Sequence, residues 1–343
     1  MPTLDPAAEV ASDPARFRIL TGDRPTGPLH IGHWFGTLEN RVRLQRLGVE
    51  LLVLIADYQT ITDRDAPASL PDDVEGQVAD YLAVGIDPER ATIFAHSQLE
   101  ALHQLLLPFL SLVSVAEVGR NPTVKEEMAA TGGRSMSALQ LTYPVHQAAD
   151  ILSCRANLVP VGRDQLPHLE LTRLIARRFN ERYCADGPLF PEPDALLGDA
   201  PLLLGMDGQK MSTSRHNALT LGAGADEIAR RVRGARTDTE RRITYEPERR
   251  PEVSNLVRLA ALCQDRCPDA VAAEVGDGGA AALKRLVTEV VEECLRPIRV
   301  RRAELLSDRA YLRQVLRAGA ERARGLAEET LISVRRLMHT NYY

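Results

Sequence analysis

The sequence predicts an α/β protein, a doubly wound parallel sheet followed by an all-helical C-terminal region. Three observations lead there. Leu51–Ala56 is a continuous apolar run, the pattern of a strand buried on both faces. Short apolar segments alternate with helical ones as far as Val161. After Gly205 the strand signals stop, and segments with helical periodicity follow. The 343 residues suffice for a sheet domain over 17–220 and a helical domain over 221–343, behind a flexible leader at 1–16.

Phe17–Gly22 is the first expected strand, ahead of a Gly/Pro turn, and a helix follows from Ile31 to about Leu47. The second strand, Leu51–Ala56, ends at Asp57, and Asp73–Val84 is helical. Thr92–Phe94 is a third strand leading into His96-Ser97-Gln98, and Leu102–Val118 is helical. Residues 121–137 are polar, contain Gly132-Gly133 and read as a mobile loop. Ala138–Arg155 is helical, Leu158–Val161 is a strand, and Asp164 N-caps a helix to about Arg182. Later helices are expected over Asp226–Arg236, Ser254–Gln264, Gly279–Leu306, Asp308–Arg324 and Glu328–His339, with Pro297 placed to kink the third.

Hydrophobic residues make up 44% and charged residues 26%, as in ordinary globular proteins. There is no apolar run of membrane-spanning length and no signal peptide at the start, so a cytoplasmic protein is expected. Five irregularly spaced cysteines read as reduced thiols. Cys263 and Cys267 lie four apart but lack a second ligand pair, so they read as buried thiols, and no metal site is assigned. Net charge is −5 but uneven: residues 205–343 carry 25 Lys and Arg against 20 Asp and Glu, residues 1–204 carry 17 against 27. A basic C-terminal part is where a polyanion would dock, although a salt-bridged helical surface explains the same charge. Only Lys125, Lys210 and Lys284 occur against 39 arginines, which makes a retained lysine informative as a compact, mobile charge.

The turn Gly22-Asp23-Arg24-Pro25-Thr26-Gly27-Pro28 joins the first strand to its helix, where a doubly wound sheet binds nucleotides. The helix start offers unpaired N–H groups to an anion. His30 and His33 add imidazole donors, and Gly32 lets a base or ribose approach the backbone. Donors held there stabilise the charge that builds on a phosphate under attack, so nucleotidyl transfer is the expected reaction. A second glycine-rich loop, Gly205-Met206-Asp207-Gly208-Gln209-Lys210-Met211-Ser212-Thr213-Ser214 within 205–216, joins sheet to helices. Further on, Tyr143, Gln147 and Asp150 stand at i, i+4 and i+7 and share a helix face. An ionised Asp150 can only accept a hydrogen bond, which suits an indole N–H, although a phenol can donate too.

These residues carry a resemblance. Pro28-Leu29-His30-Ile31-Gly32-His33 and Lys210-Met211-Ser212-Thr213-Ser214 resemble the HIGH and KMSKS signatures of class I aminoacyl-tRNA synthetases. Val159–Gln165, His168, Glu170–Arg173 and Arg178–Asn180, with Thr237-Asp238-Thr239 and Ser254-Asn255-Leu256, resemble bacterial tryptophanyl-tRNA synthetases over residues 17–325. The resemblance implies a Rossmann-like catalytic domain, a helical anticodon-binding domain and a homodimer. It implies ATP with Mg²⁺ as substrate complex, no tightly bound cofactor, and tryptophan and tRNA(Trp) as partners.

By that resemblance His30, His33, Lys210 and Ser212 are catalytic. Asp23, Arg24, Gly32, His33, Asp164, Lys210, Met211 and Ser214 bind ATP, Asp164 through the ribose. Leu20, Gly22, Gln59, Tyr143, Gln147, Asp150, Val159, Val161 and Gln165 bind the amino acid. Val159 and Val161 wall the indole, Asp150 accepts its N–H, and Tyr143 and Gln165 reach the α-amino group. Arg230, Arg231, Arg233 and Arg236 would face tRNA.

Several positions depart from the bacterial pattern. Thr213 replaces the second lysine of the loop, with Arg215 two residues on as the available substitute charge. Leu20 stands for a phenylalanine, Gln59 for a histidine, and Gln147 for a methionine, as in tyrosyl enzymes. A more polar pocket, tolerant of ring-substituted tryptophans in a divergent, auxiliary enzyme, is the expectation. Tyrosine activation, favoured by Gln147, and a paralogue serving as a binding or regulatory partner, favoured by Thr213, remain the alternatives.

Overall fold

The computed structural model describes residues 6–62, 67–122, 124–125, 137–162, 165–197, 203–213 and 215–342. Five parallel strands form its sheet: β1 (Arg18–Asp23), β2 (Glu50–Ile55), β3 (Ala91–Ala95), β4 (Leu158–Val161) and β5 (Asp194–Leu197). Their spatial order is β3-β2-β1-β4-β5, so the winding reverses between β1 and β4. Successive residues of β2 divide between the two faces. Leu51, Val53 and Ile55 enter one core with Ile19 and Ile93, while Leu52 and Leu54 enter another with Leu20 and Phe94. Both faces are covered, which is why β2 reads as an unbroken apolar run.

The helices are α1 (Pro6–Ser12), α2 (Ile31–His33), α3 (Glu39–Leu47), α4 (Leu70–Ala83), α5 (Glu100–Leu110), α6 (Val115–Val118), α7 (Ala138–Ser153) and α8 (Leu166–Tyr183). Beyond the sheet come α9 (Ala225–Arg233), α10 (Pro251–Gln264), α11 (Pro268–Val275), α12 (Gly279–Ser307) and α13 (Arg309–Leu337).

The differences from expectation have local causes. The leader is not loose from Pro6 on, because α1 forms there and buries Val10. A π-helical stretch, Trp34–Leu38, interrupts the first long helix between α2 and α3. The segment Leu102–Val118 is two helices, because Ser114 is extended and its hydroxyl caps Glu117 N–H to start α6 anew. The last two expected helices are one, since Gly325 keeps helical geometry within α13. α12 likewise runs through Pro297 as a single helix. Strand β5 and helix α11 were not expected. Most of the expected loop at 121–137, and the Asp164 cap, lie outside the described residues. The expectation of buried Cys263 and Cys267 thiols is corrected: Cys267 is exposed and Cys263 half-buried. Among the described residues no helix is long and apolar enough to cross a membrane.

α13 begins in the core of the other C-terminal helices through Leu312, Val315 and Leu316 and then leaves it. Its Ala320, Ala323, Ala327 and Leu331 join the core of the β3 side. A Cβ at Gly319 would collide with the Ile93 carbonyl, so only glycine lets the helix lie against edge strand β3. Arg322 donates to the carbonyls of Pro88 (2.8 Å) and Ala91 (3.2 Å), and Arg324 to that of Gln98 (3.2 Å).

Candidate active site

Because all strands are parallel, their carboxyl ends meet along one edge. Asp23, Asp57, His96 and Gly162 lie at or just past the ends of β1 to β4. This edge, at the reversal of strand order, is where such sheets bind ligands. The β1 turn bends at Gly27, whose φ of 121° suits glycine. His30, in extended conformation, begins α2, and its N–H donates to His33 Nδ1 at 3.2 Å. That bond places the His33 lone pair on Nδ1, so the ring's proton sits on Nε2, free to donate. The two rings lie 3.7 Å apart between centroids, tilted by 33°. Burial and the neighbouring His33 push His30 down to about 3, and burial lowers His33 as well, so both imidazoles are neutral at pH 7.

The second loop lies directly on the first. Residues on either side pair as short backbone bridges: Ile31 N–H donates to Leu219 O (2.8 Å), and Leu221 N–H to Leu29 O (2.9 Å). Asn217 organises the loop from within. Its Oδ1 accepts from Ser212 N–H (2.8 Å), and its Nδ2 donates to Asp207 Oδ1 (2.8 Å) and Lys210 O (3.1 Å). Gly205 must be small, because a Cβ there would collide with the Asn217 side chain. Lys210 is left exposed at the loop's outer side. Met211 is buried, and a Cβ on Gly32 would come within 3.2 Å of its sulfur and 3.0 Å of the His30 ring. Gly32 thus lies close against both the His30 ring and the Met211 sulfur. Thr213 Oγ1 donates to Pro28 O at 3.0 Å.

Asp23 is tied into the chain beneath the turn. Both its oxygens are engaged by buried Arg41 (2.5 and 3.1 Å), and the Tyr81 hydroxyl donates to it at 2.7 Å. Burial raises its pKa, but Arg41 outweighs that and holds the carboxyl below its usual range. Asp23 thus anchors the turn from beneath. Arg24 is exposed in the same turn. Asp80 secures the turn from another side: its fully buried carboxylate accepts from Leu29 N–H (3.1 Å) and from Arg302 Nε of α12 (2.5 Å).

The expected amino-acid residues surround the sheet edge. Leu20, Tyr143, Asp150 and Val159 are buried, and Gln59, Gln147, Val161 and Gln165 are half-buried. Gly22 lies so close to β2 that a Cβ would collide with the Leu54 carbonyl. Tyr143 OH lies 3.5 Å from His168 Nε2. Asp150 Oδ1 is 2.8 Å from His96 Nε2, a close ionic contact without hydrogen-bond alignment. Asp164 and Ser214 lie outside the described residues.

Sequence reasoning missed Arg41, Tyr81, Asn217 and His96. The signal for His96 was its place just after a strand end. Of the four arginines expected to face tRNA, two are engaged within the chain. Arg231 donates to Glu227 (2.7 Å) and His216 O (2.5 Å), and Arg236 Nη1 to Asp207 O (3.4 Å). The two later motifs also have structural work. Asp238 pairs bidentately with Arg250 (2.7 Å each), and Asn255 holds Leu204 through both N–H (2.7 Å) and O (3.1 Å).

A parallel sheet with these two signatures locked together at its carboxyl edge defines a class I aminoacyl-tRNA synthetase. The family described as tRNA synthetases class I (W and Y) matches residues 13–296, and the chain belongs to that family. It is 40% identical over 339 residues to a tryptophan–tRNA ligase of Streptococcus agalactiae serotype V, covering 95% of this chain and 98% of the relative. The corresponding Streptococcus pyogenes serotype M1 ligase is 40% identical over 338 residues, with the same coverage. Tryptophanyl-tRNA synthetase from Campylobacter jejuni, solved with ADP and tryptophan, superposes with a TM-score of 0.81 at 27% identity, over 94% of this chain and 99% of that one. Tyrosyl-tRNA synthetase from Archaeoglobus fulgidus (TM-score 0.64, 22% identity, over 83% of this chain and 90% of that one) shares the fold.

Proposed function

We propose that the chain is a tryptophan–tRNA ligase, forming tryptophanyl-adenylate from tryptophan and ATP and passing the acyl group to the terminal ribose of tRNA(Trp). The observation that carries this reading is the contact between the two signatures, Met211 against Gly32 and Thr213 against Pro28. It brings the Lys210 loop to the helix start where phosphates bind. The 40% identity to tryptophan ligases over 95% of the chain supports the choice of amino acid.

The tryptophan carboxylate attacks the α-phosphate, so the protein needs no nucleophile of its own. Catalysis is positioning and charge stabilisation. The neutral His33 Nε2–H meets the charge that builds on the phosphorus. Lys210, with Mg²⁺ arriving as the ATP complex, draws off pyrophosphate. Asp150 orients the indole, and half-buried Gln59 and Gln147 allow polar ring substituents. The chain works as a cytoplasmic homodimer, its C-terminal helices contacting the tRNA.

The test is amino-acid-dependent ATP–pyrophosphate exchange with tryptophan, 5-hydroxytryptophan and tyrosine, followed by charging of tRNA(Trp). Tryptophan is expected to support the fastest exchange. Exchange led by tyrosine would overturn the reading.

A further inference from the structure

Three histidines converge beside the pocket from separate elements. His96 follows β3, His103 is on α5 and His146 is on α7. One ring nitrogen from each lies within 4.8 Å of the other two. Ring centroids are 4.3, 5.2 and 5.3 Å apart. We propose that His96, His103 and His146 form a binding site for a single transition-metal cation of the zinc class.

The hydrogen bonds around the rings carry the argument. A histidine ligand presents one nitrogen lone pair to the metal and donates its other N–H to an oxygen that fixes the ring. His103 meets this requirement: its Nε2 lies 3.0 Å from the His96 carbonyl, which can only accept, so the lone pair is on Nδ1. His96 Nε2 lies 2.8 Å from Asp150 Oδ1, within reach of such an oxygen but not aligned to donate to it. Its other nitrogen, Nδ1, is buried without a hydrogen-bond partner on a side chain of zero exposure. A buried, unpaired ring nitrogen is costly unless something fills the place. His146 Nε2 faces His103 Nδ1 at 3.0 Å.

Zinc–nitrogen bonds of about 2.0–2.1 Å at tetrahedral angles put ligand nitrogens about 3.4 Å apart. The closest pair needs to part by only a few tenths of an ångström. A simple hydrogen bond between His146 and His103 explains that pair but leaves His96 Nδ1 unsatisfied; a cation satisfies all three. Asp57 and Asp150 supply the nearby negative charge. The intervals of 7 and 43 residues match no metal motif, which is why the sequence does not disclose the site.

Resting on the tryptophan reading above, the site has a consequence. His96 is both ligand and partner of Asp150, so metal on Nδ1 fixes the proton on Nε2 and turns it to the carboxylate. Occupancy therefore alters how Asp150 receives the indole.

The first test uses full-length protein stripped with EDTA and titrated with Zn²⁺ against a chromophoric chelator, with Co²⁺ absorption as a second readout. One ion per chain is expected, weakened at least 100-fold in both His103→Ala and His146→Leu, with no thiolate charge-transfer band. His103→Gln serves as a milder variant, and circular dichroism and thermal unfolding verify that each variant folds. Unchanged affinity in folded variants, or binding that follows Cys263→Ser instead, would overturn the proposal. The second test compares the tryptophan KM in exchange with and without Zn²⁺. A shift of several-fold at nearly constant kcat is expected, and an unchanged KM in metal-loaded protein overturns the coupling to Asp150. Failure of exchange with every amino acid would count against the function and leave the metal titration to stand by itself.

Discussion

The hydroxyl of Thr213 donates to the carbonyl of Pro28, 185 residues earlier, at 3.0 Å. Thr213 stands where the KMSKS loop carries its second lysine, so the position that lacks a charge has become a latch between the two signatures. Thr213→Val keeps the volume and removes the bond, a loss of about 0.5–1.5 kcal/mol. A rise of 2- to 10-fold in the KM for ATP is expected in pyrophosphate exchange. An unchanged KM would mean that the latch contributes nothing to nucleotide binding.

Gly32→Ala separates catalysis from stability. In a helical turn, alanine ordinarily stabilises by about 0.5–1 kcal/mol relative to glycine. Here its Cβ would press on the His30 ring at 3.0 Å and on Met211 at 3.2 Å. Exchange activity is expected to fall at least 10-fold while Tm moves little. Full activity would show that the two signatures need not touch.

Asp80→Ala would leave the Arg302 guanidinium without its buried carboxylate and Leu29 N–H without its acceptor. Breaking such a pair costs about 3–5 kcal/mol. Urea unfolding is expected to show that loss. Arg302→Met, which removes the charge but keeps the alkyl packing, should cost less. Equal losses would place the cost in packing rather than in the orphaned charge.

Acid should destabilise the fold well before the carboxylates titrate. An unfolded histidine takes a proton near its model value of 6.5, whereas folded His30 resists protonation down to about 3. With the folded value depressed, this contribution is fully present above pH 6.5 and is lost as pH falls toward 3. His33, Asp23 and Arg41 adjoin it, and His146, held near 4, acts in the same direction. Tm measured between pH 7.5 and 5 is expected to fall, and to fall less steeply in His30→Gln. Parallel slopes would place the acid sensitivity elsewhere.

The parts of the fold legible in the sequence were those where burial leaves a pattern. Leu51–Ala56 stood out because both sheet faces are covered. Strand β5 did not, since Asp194 and Leu197 are exposed and a four-residue edge strand carries little apolar signal. Gly325 sits where two helices were expected, yet it continues α13. In the site, the two signatures announced themselves by motif, and the structure brings them into contact through Thr213 and Pro28. The pairing of Asp23 with Arg41 was not legible, because it spans 18 residues and follows no short motif. The histidine trio was invisible for the same reason: only folding brings positions 96, 103 and 146 together.

Gly319 and the helix around it also bear on the order of assembly. β3 is an edge strand, and an uncovered edge offers unpaired backbone groups to any passing strand. Its cover, α13, leaves the ribosome after every other element described here. The nascent sheet can pair its strands early but carries an open border until 226 further residues have been made, counting from Ile93 to Gly319. Chains cut short before α13 would therefore keep that border open and be prone to associate through it.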